Sequence, residues 1–248
     1  MPILGDDANA IIEHARSDVS TRPLRLFIAA RSRYAEDSLR SAVASGVRQL
    51  VVLGAGLDTF AYRSDPRVNL RIYEVDHPST QEWKRARLSA AGIAVPRSVT
   101  YTPIDFEHES LAQSLVASGF HPTRRAFFTW LGVVPYLSEE AALATLGFIA
   151  SLSGGAHVVF DYVNPPQVMS DATRALHDKL AARVSSVGET FQTYWQTEPL
   201  HTRLRGLGYR QIEDLSPVGI AARFLPARVG AVSDRGGHIL HAATGAPQ

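Results

Sequence analysis

Five short β-rich runs, set apart by helix-length stretches, leave this chain few folds to adopt. The runs are "RQLVVLGAG" (48–56), "NLRIYEVD" (69–76), "SVTYTPIDF" (98–106), "RAFFTWL" (125–131) and "AHVVFDYV" (156–163). Between them, "STQEWKRARLSAAG" and "HESLAQSLVASG" stop at Gly92 and Gly119. "SEEAALATLGFIASLSGG" opens with Ser138 as an N-cap and puts Glu139 and Glu140 in its first turn, where acids favour the positive helix end. Such alternation predicts parallel strands joined by right-handed crossovers, an α/β doubly wound sheet.

The flanks follow another rhythm. Residues 1–46 read as helical, with Leu24, Phe27, Ile28, Ala35, Leu39 and Val43 at mostly helical spacing and Gly46 as the stop. Residues 165–208 carry no strand signal. There Val168, Ala172, Leu176, Leu180, Val184 and Val187 trace one helical face. "YRQIEDL" and "GHILHAAT" then read as a closing hairpin pair. The expectation is one domain over 1–248, with N-terminal helices and a helical insertion that forms a substrate wall or lid.

Composition narrows the partners. A formal net charge of +1 suggests neither a nucleic-acid-binding surface nor a polybasic membrane anchor. The chain has no cysteine, hence no disulfide, thiolate metal site or cysteine nucleophile. Its nine histidines, His77 and His157 among them, show no tight ligand spacing, so no metal is expected. The N-terminus has early acids and a short apolar stretch, unlike a signal peptide, and no run reaches the roughly 18 apolar residues of a membrane span. A soluble, cytoplasmic protein is expected.

The chemistry concentrates at "VVLGAGLDTF", where a buried strand stops at Gly54, Ala55 and Gly56. Glycine lets a ligand approach the backbone, and a helix starting there offers free N–H groups. A dinucleotide, a methyl donor and a plain tight turn all remain open on those glycines alone. Asp76 lies 22 residues after Gly54 (76 − 54), near the offset at which an acid meets a ribose hydroxyl. Asp105 and Phe106 end the third run and suit an adenine ring. A dinucleotide turn wants a third glycine where this chain has Thr59, and Asp58 would repel a pyrophosphate. A ligand with ribose and adenine but no phosphate fits better, and S-adenosylmethionine is such a ligand. An NAD-dependent oxidoreductase is the rival reading, and a donor-binding protein without transfer activity a third.

"RQLVVLGAGLDTFAYR", "YEVDHPSTQEWKRARL", "PIDF" and "FFTWLGVVPYLSEEA" together resemble the leucine carboxyl methyltransferase-like family, in particular its bacterial S-adenosylmethionine-dependent branch. The resemblance is strong over about residues 20 to 165. It implies a class I methyltransferase fold, a seven-stranded Rossmann-like sheet with its last strand antiparallel. It also implies that Arg31, in "AARSRY", binds the donor's methionine carboxylate, with Gly54 and Gly56 as the glycine turn, Asp76 the ribose acid and Asp105 the adenine-side acid. The eukaryotic enzymes, which methylate a C-terminal leucine carboxylate on a phosphatase, carry a glutamate in the fourth-strand motif. Leu131 stands there in this chain, so the phosphatase substrate does not carry over. Tyr136, Arg174 and Tyr194 are the expected substrate-side residues, for a carboxylate or hydroxyl of a small molecule or peptide, with Trp130 a further aromatic near the pocket. No residue stands out as a general base.

Overall fold

The computed structural model describes residues 2–105, 109–186 and 188–245. Helices α1 (Ala8–Ser17) and α2 (Arg22–Ala44) precede the sheet. Then follow β1 (Gln49–Leu53), α3 (Phe60–Arg63), β2 (Arg71–Asp76), α4 (Pro78–Ala90), β3 (Val99–Pro103), α5 (Leu111–Ala117), β4 (Ala126–Trp130), α6 (Glu139–Ala150) and β5 (Ala156–Val163). The chain ends with α7 (Asp171–Ser185), α8 (Thr197–Leu207), β6 (Gln211–Leu215), α9 (Pro217–Phe224) and β7 (Gly237–Ala243). The seven strands order as β3-β2-β1-β4-β5-β7-β6. β1 to β5 pair in parallel, and β7 runs antiparallel between β5 and β6.

All five residues of β1 are buried, because helices cover both faces of the sheet. Val51, Phe128, Trp130 and Phe160 pack on one face with Leu115 of α5, Leu146 of α6 and Leu204 of α8. Leu50, Phe127, Val159 and Ile239 pack on the other with Tyr34 and Leu39 of α2 and Ile220 of α9. Each fully buried side chain of this kind contributes about 1.5–3 kcal/mol relative to exposure. Strand order reverses at β1/β4, and doubly wound sheets bind ligands at such a crevice, beyond the carboxyl ends of the strands.

Three expectations need correction. The stretch 165–208 is not one kind of insertion. Its second helix, α8, buries Leu200 and Leu204 in the core and belongs to the sheet's own cover. Its first helix, α7, has no buried residue, and Leu176, on the expected apolar face, is 51% exposed. Periodicity marks an apolar face but does not supply a surface to cover it. Val187 lies outside the described residues. Next, β6 and β7 are neighbours but not a tight hairpin, since α9 and a 3-10 segment (Pro226–Ala231) intervene. Finally, no long helix starts at the glycines. The element that follows, α3, has four residues and begins at Phe60.

Candidate functional site

The glycine turn is shaped from below. Gly54 N–H and Ala55 N–H both donate to Val75 O, at 2.9 and 3.1 Å, which pins the turn to the end of β2. Gly54 and Gly56 have φ of +64° and +41°, a region that glycine enters freely. A Cβ on Gly54 would lie 2.3 Å from Val133 Cγ2, so a side chain is excluded by space as well.

Asp76 faces this turn. Its Oδ2 accepts from Gly56 N–H at 2.5 Å and its Oδ1 from His77 N–H at 2.7 Å. The carboxylate is thus fixed, half-buried, at the tip of β2, with lone pairs left over on each oxygen. His77 itself caps α4, its ring nitrogen accepting from Ser79 N–H at 3.3 Å. Asp58 accepts from Phe60 N–H at 2.7 Å and so occupies the start of α3 with an acid. That placement works against a pyrophosphate at this turn. Asp105 is half-buried at the third strand end, its N–H donating to Glu109 Oε2 at 2.8 Å. Phe106 lies outside the described residues.

Arg31 comes from the middle of α2 and sits against the ends of β4 and β5. Its Nη1 donates to Asp161 Oδ2 at 2.8 Å, and Asp161 Oδ1 accepts from Gly132 N–H at 2.6 Å. Asp161 is only 4% exposed. Burial pushes its carboxyl pKa up, while Arg31 and the Gly132 amide oppose that shift. Gly132 has φ of +73°, which favours glycine, and a Cβ there would fall 2.6 Å from Arg31 Nη2 and displace the guanidinium. Arg31 Nε is buried and has no hydrogen-bond partner among the described residues. An unpaired buried guanidinium N–H is costly, and the side-on edge of a guanidinium matches a carboxylate. Asp161 is the residue that sequence reasoning missed.

Tyr136 follows β4 in a 3-10 turn (Val134–Tyr136). Burial raises its hydroxyl pKa, with Arg31 opposing and Asp161 reinforcing the shift. Its ring stacks on Phe191 at 5.3 Å. Tyr194 joins the same group, its hydroxyl 3.2 Å from His177 Nε2. Arg174 does not join it. It is exposed, and its Nη2 donates to Met169 O at 3.3 Å. Trp130 is 1% exposed and belongs to the core, not to the pocket. Leu131 packs, partly buried, between α2 and the sheet. The glutamate position of the resemblance is thus apolar, and the acid near Arg31 comes from β5 instead.

Residues 4–150 match the leucine carboxyl methyltransferase family. YktD of Bacillus subtilis (strain 168), provisionally named an S-adenosyl-L-methionine-dependent methyltransferase, is 31% identical over 86% of this chain and 69% of its own length. A similarly named protein of Saccharopolyspora erythraea is 30% identical over 66% of this chain, but the chain spans only 54% of that relative. Among solved structures, a provisionally assigned methyltransferase from Thermobifida fusca superposes with a TM-score of 0.58 at 17% identity, covering 88% of this chain and 81% of that one. Magnesium protoporphyrin IX methyltransferase from Synechocystis with bound S-adenosylhomocysteine gives 0.50 at 12% identity, over 88% and 84%. These likenesses show the class I fold. The chain therefore belongs to the leucine carboxyl methyltransferase family of S-adenosyl-L-methionine-dependent enzymes.

Proposed function

We propose that this protein is an O-methyltransferase that esterifies a carboxylate, with its donor held across the ends of β1, β2 and β4. The observation that carries the reading is the Arg31 guanidinium. Asp161 engages Nη1, and the buried Nε has no partner among the described residues. A carboxylate on that edge would complete the guanidinium's hydrogen bonds, and the methionine end of S-adenosylmethionine presents one. The other residues fit the same ligand. The Gly54–Gly56 turn admits close approach, Asp76 has acceptor capacity left for ribose hydroxyls, and Asp105 stands at the adenine side.

The donor, when bound, supplies a methyl group on a cationic sulfonium whose sulfur keeps the electron pair of the breaking bond. The chain's part is to place an acceptor oxygen in line and to exclude water. A carboxylate oxygen forms the new O–C bond with its own lone pair and releases no proton. No general base is then required, because a carboxylic acid with a pKa near ~4 is already ionised at neutral pH. The family's name supports the carboxylate as acceptor. No helix among the described residues is long and apolar enough to cross a membrane.

The contact between Tyr194 and His177 favours a second reading, a hydroxyl acceptor deprotonated by His177. Methyl transfer from a labelled donor, followed between about pH 6 and about 9, separates the two. A nearly flat kcat and a product cleaved by mild alkali are expected. A rate that climbs through neutral pH with an alkali-stable product would make the acceptor a hydroxyl.

A further inference from the structure

Two residues before Asp76, on the same face of β2, stands Glu74, an acid only 1% exposed. Its Oε2 accepts from the Tyr62 hydroxyl of α3 at 2.9 Å and lies 2.8 Å from Lys84 Nζ of α4. The Lys84 side chain is likewise 1% exposed, and its Nζ sits 5.3 Å from the centre of the Tyr62 ring. The hydroxyls of Tyr62 and Tyr101 are 2.8 Å apart, and Tyr101 of β3 is the register partner of Glu74. Gln81 of α4 adds a bond from Nε2 to Glu74 O at 2.8 Å. Helices α3 and α4 and strands β2 and β3 thus meet at one buried acid.

This ion pair is a poor source of stability. Glu74 Oε1 and Lys84 Nζ are buried without a hydrogen-bond partner among the described residues. Two charges taken out of water recover that cost only when hydrogen bonds complete both groups, and apolar replacements of similar volume are often as stable or more so. What the pair does supply is a fixed place for Tyr62. Helix α3 has four residues, and isolated helices shorter than about 12 residues are marginal in water. Its place comes from its side chains: Ala61 in the core, Tyr62 on Glu74, and Arg63 on Glu36 at the exposed rim.

Helix α3 is also the downstream end of the glycine turn. The upstream end is tied to β2 through Val75 O and the Asp76 carboxylate. Residues 74 to 76 of β2 therefore hold the segment from Gly54 to Tyr62 at both ends. We infer that Glu74 and Tyr62 are positioning residues of the donor site: Glu74, seated by Lys84, holds the Tyr62 hydroxyl, and Tyr62 fixes the glycine turn against which the donor rests. The inference rests on the donor-binding reading above. Glu74 is enclosed and acts through the turn, not by contact with the donor.

The test compares variants of the full chain by three readouts: melting temperature, calorimetric binding of S-adenosylhomocysteine, and ligand-free hydrogen exchange of residues 54–63 read by mass spectrometry. Tyr62→Phe keeps the ring and removes the bond to Glu74. It should weaken product binding roughly tenfold and speed exchange in 54–63, with exchange in β4 and β5 unchanged. Glu74→Leu combined with Lys84→Met replaces the pair by apolar groups. That variant should melt no lower than the parent and still bind product roughly tenfold more weakly. Glu74→Gln combined with Lys84→Met returns an acceptor to the Tyr62 hydroxyl without returning the charge. Its affinity should come back to within about threefold of the parent, which a role in stability alone would not require. If the apolar double variant does not fold, Tyr62→Phe and the glutamine-bearing variant carry the comparison. Parent-like affinity and exchange in Tyr62→Phe overturn the inference, and so does an affinity that falls only in step with the melting temperature. If the parent itself binds no product, the donor reading falls and the role of Glu74 in it falls too, while the exchange rates still report whether Glu74 holds the turn.

Discussion

Arg31 and Asp161, 130 residues apart in sequence, meet as a half-enclosed ion pair, Nη1 to Oδ2 at 2.8 Å, with the Gly132 amide on the carboxylate's other oxygen. The pair joins α2 to the end of β5 and aims the guanidinium's remaining N–H groups away from Asp161. Arg31→Ala is therefore expected to weaken S-adenosylmethionine binding at least roughly tenfold, since charge-assisted hydrogen bonds contribute about 1.5–3 kcal/mol each. Binding of methylthioadenosine, which lacks the amino-acid end, should hardly change. Equal weakening of both ligands, read by calorimetry, would make Arg31 a structural residue.

Asp161→Asn keeps the shape and the acceptor for Gly132 N–H but leaves Arg31 without its counter-charge. Removing one partner of a buried pair costs about 3–5 kcal/mol, less here because the Arg31 side chain is 18% exposed. A lowered melting temperature and a weaker donor complex are expected together. A variant that melts and binds like the parent would show that Asp161 does not hold Arg31 in place.

In the proposed site Asp76 faces the donor's ribose. Its carboxylate is held by two backbone amides, so Asp76→Ala removes acceptors for the donor and a tie between the turn and β2. Donor affinity should drop at least roughly tenfold. Asp76→Asn should lose less, because one acceptor oxygen survives. Identical dissociation constants for both variants and the parent would remove Asp76 from the site.

Much of this fold was legible because the strand runs are apolar on both faces and end in turn residues. "NLRIYEVD" contains β2, Arg71–Asp76, so the place of Asp76 at the strand's tip was legible from the sequence. Asp161 could not. It stands inside "AHVVFDYV", where an acid reads as an ordinary strand residue, and no spacing rule links it to a helix so much earlier in the chain. Phe191 was hidden for a different reason. It lies between two helices in a stretch without periodicity, and hydrogen bonds to Pro135 and Tyr136 give it its place. Arg174 was misplaced because helical spacing gives a face and not its direction. That residue points back to Met169 O.

A half-buried histidine pair makes stability depend on pH. His157 Nδ1 and His241 Nε2 lie 3.1 Å apart, both rings pack on Phe127, and Asp37, Glu213 and Arg223 border the same cavity. Burial, and then His157, push His241 down to about 4, with Glu213 opposing. Burial and Arg125 lower His157 as well. An unfolded histidine titrates near ~6.5, so between about pH 6.5 and about 4 the unfolded chain binds more protons than the folded one. Stability therefore rises with pH across that window, by an amount of order 3 kcal/mol for His241. The melting temperature should fall on acidification from about 6.5 to about 4, and His241→Phe should flatten that part of the curve relative to the parent. Parallel curves for parent and variant would show that His241 is not the group responsible.

The central claim is that the ends of β1, β2 and β4 bind the S-adenosyl group, with Arg31 on its carboxylate. Calorimetric titration of the purified full chain with S-adenosylhomocysteine tests it most directly, because the product needs no acceptor to bind. One site per chain is predicted, with a dissociation constant in the micromolar range and a loss of at least roughly tenfold in Arg31→Ala. Absence of binding at sub-millimolar product, in protein that melts cooperatively, would contradict the account.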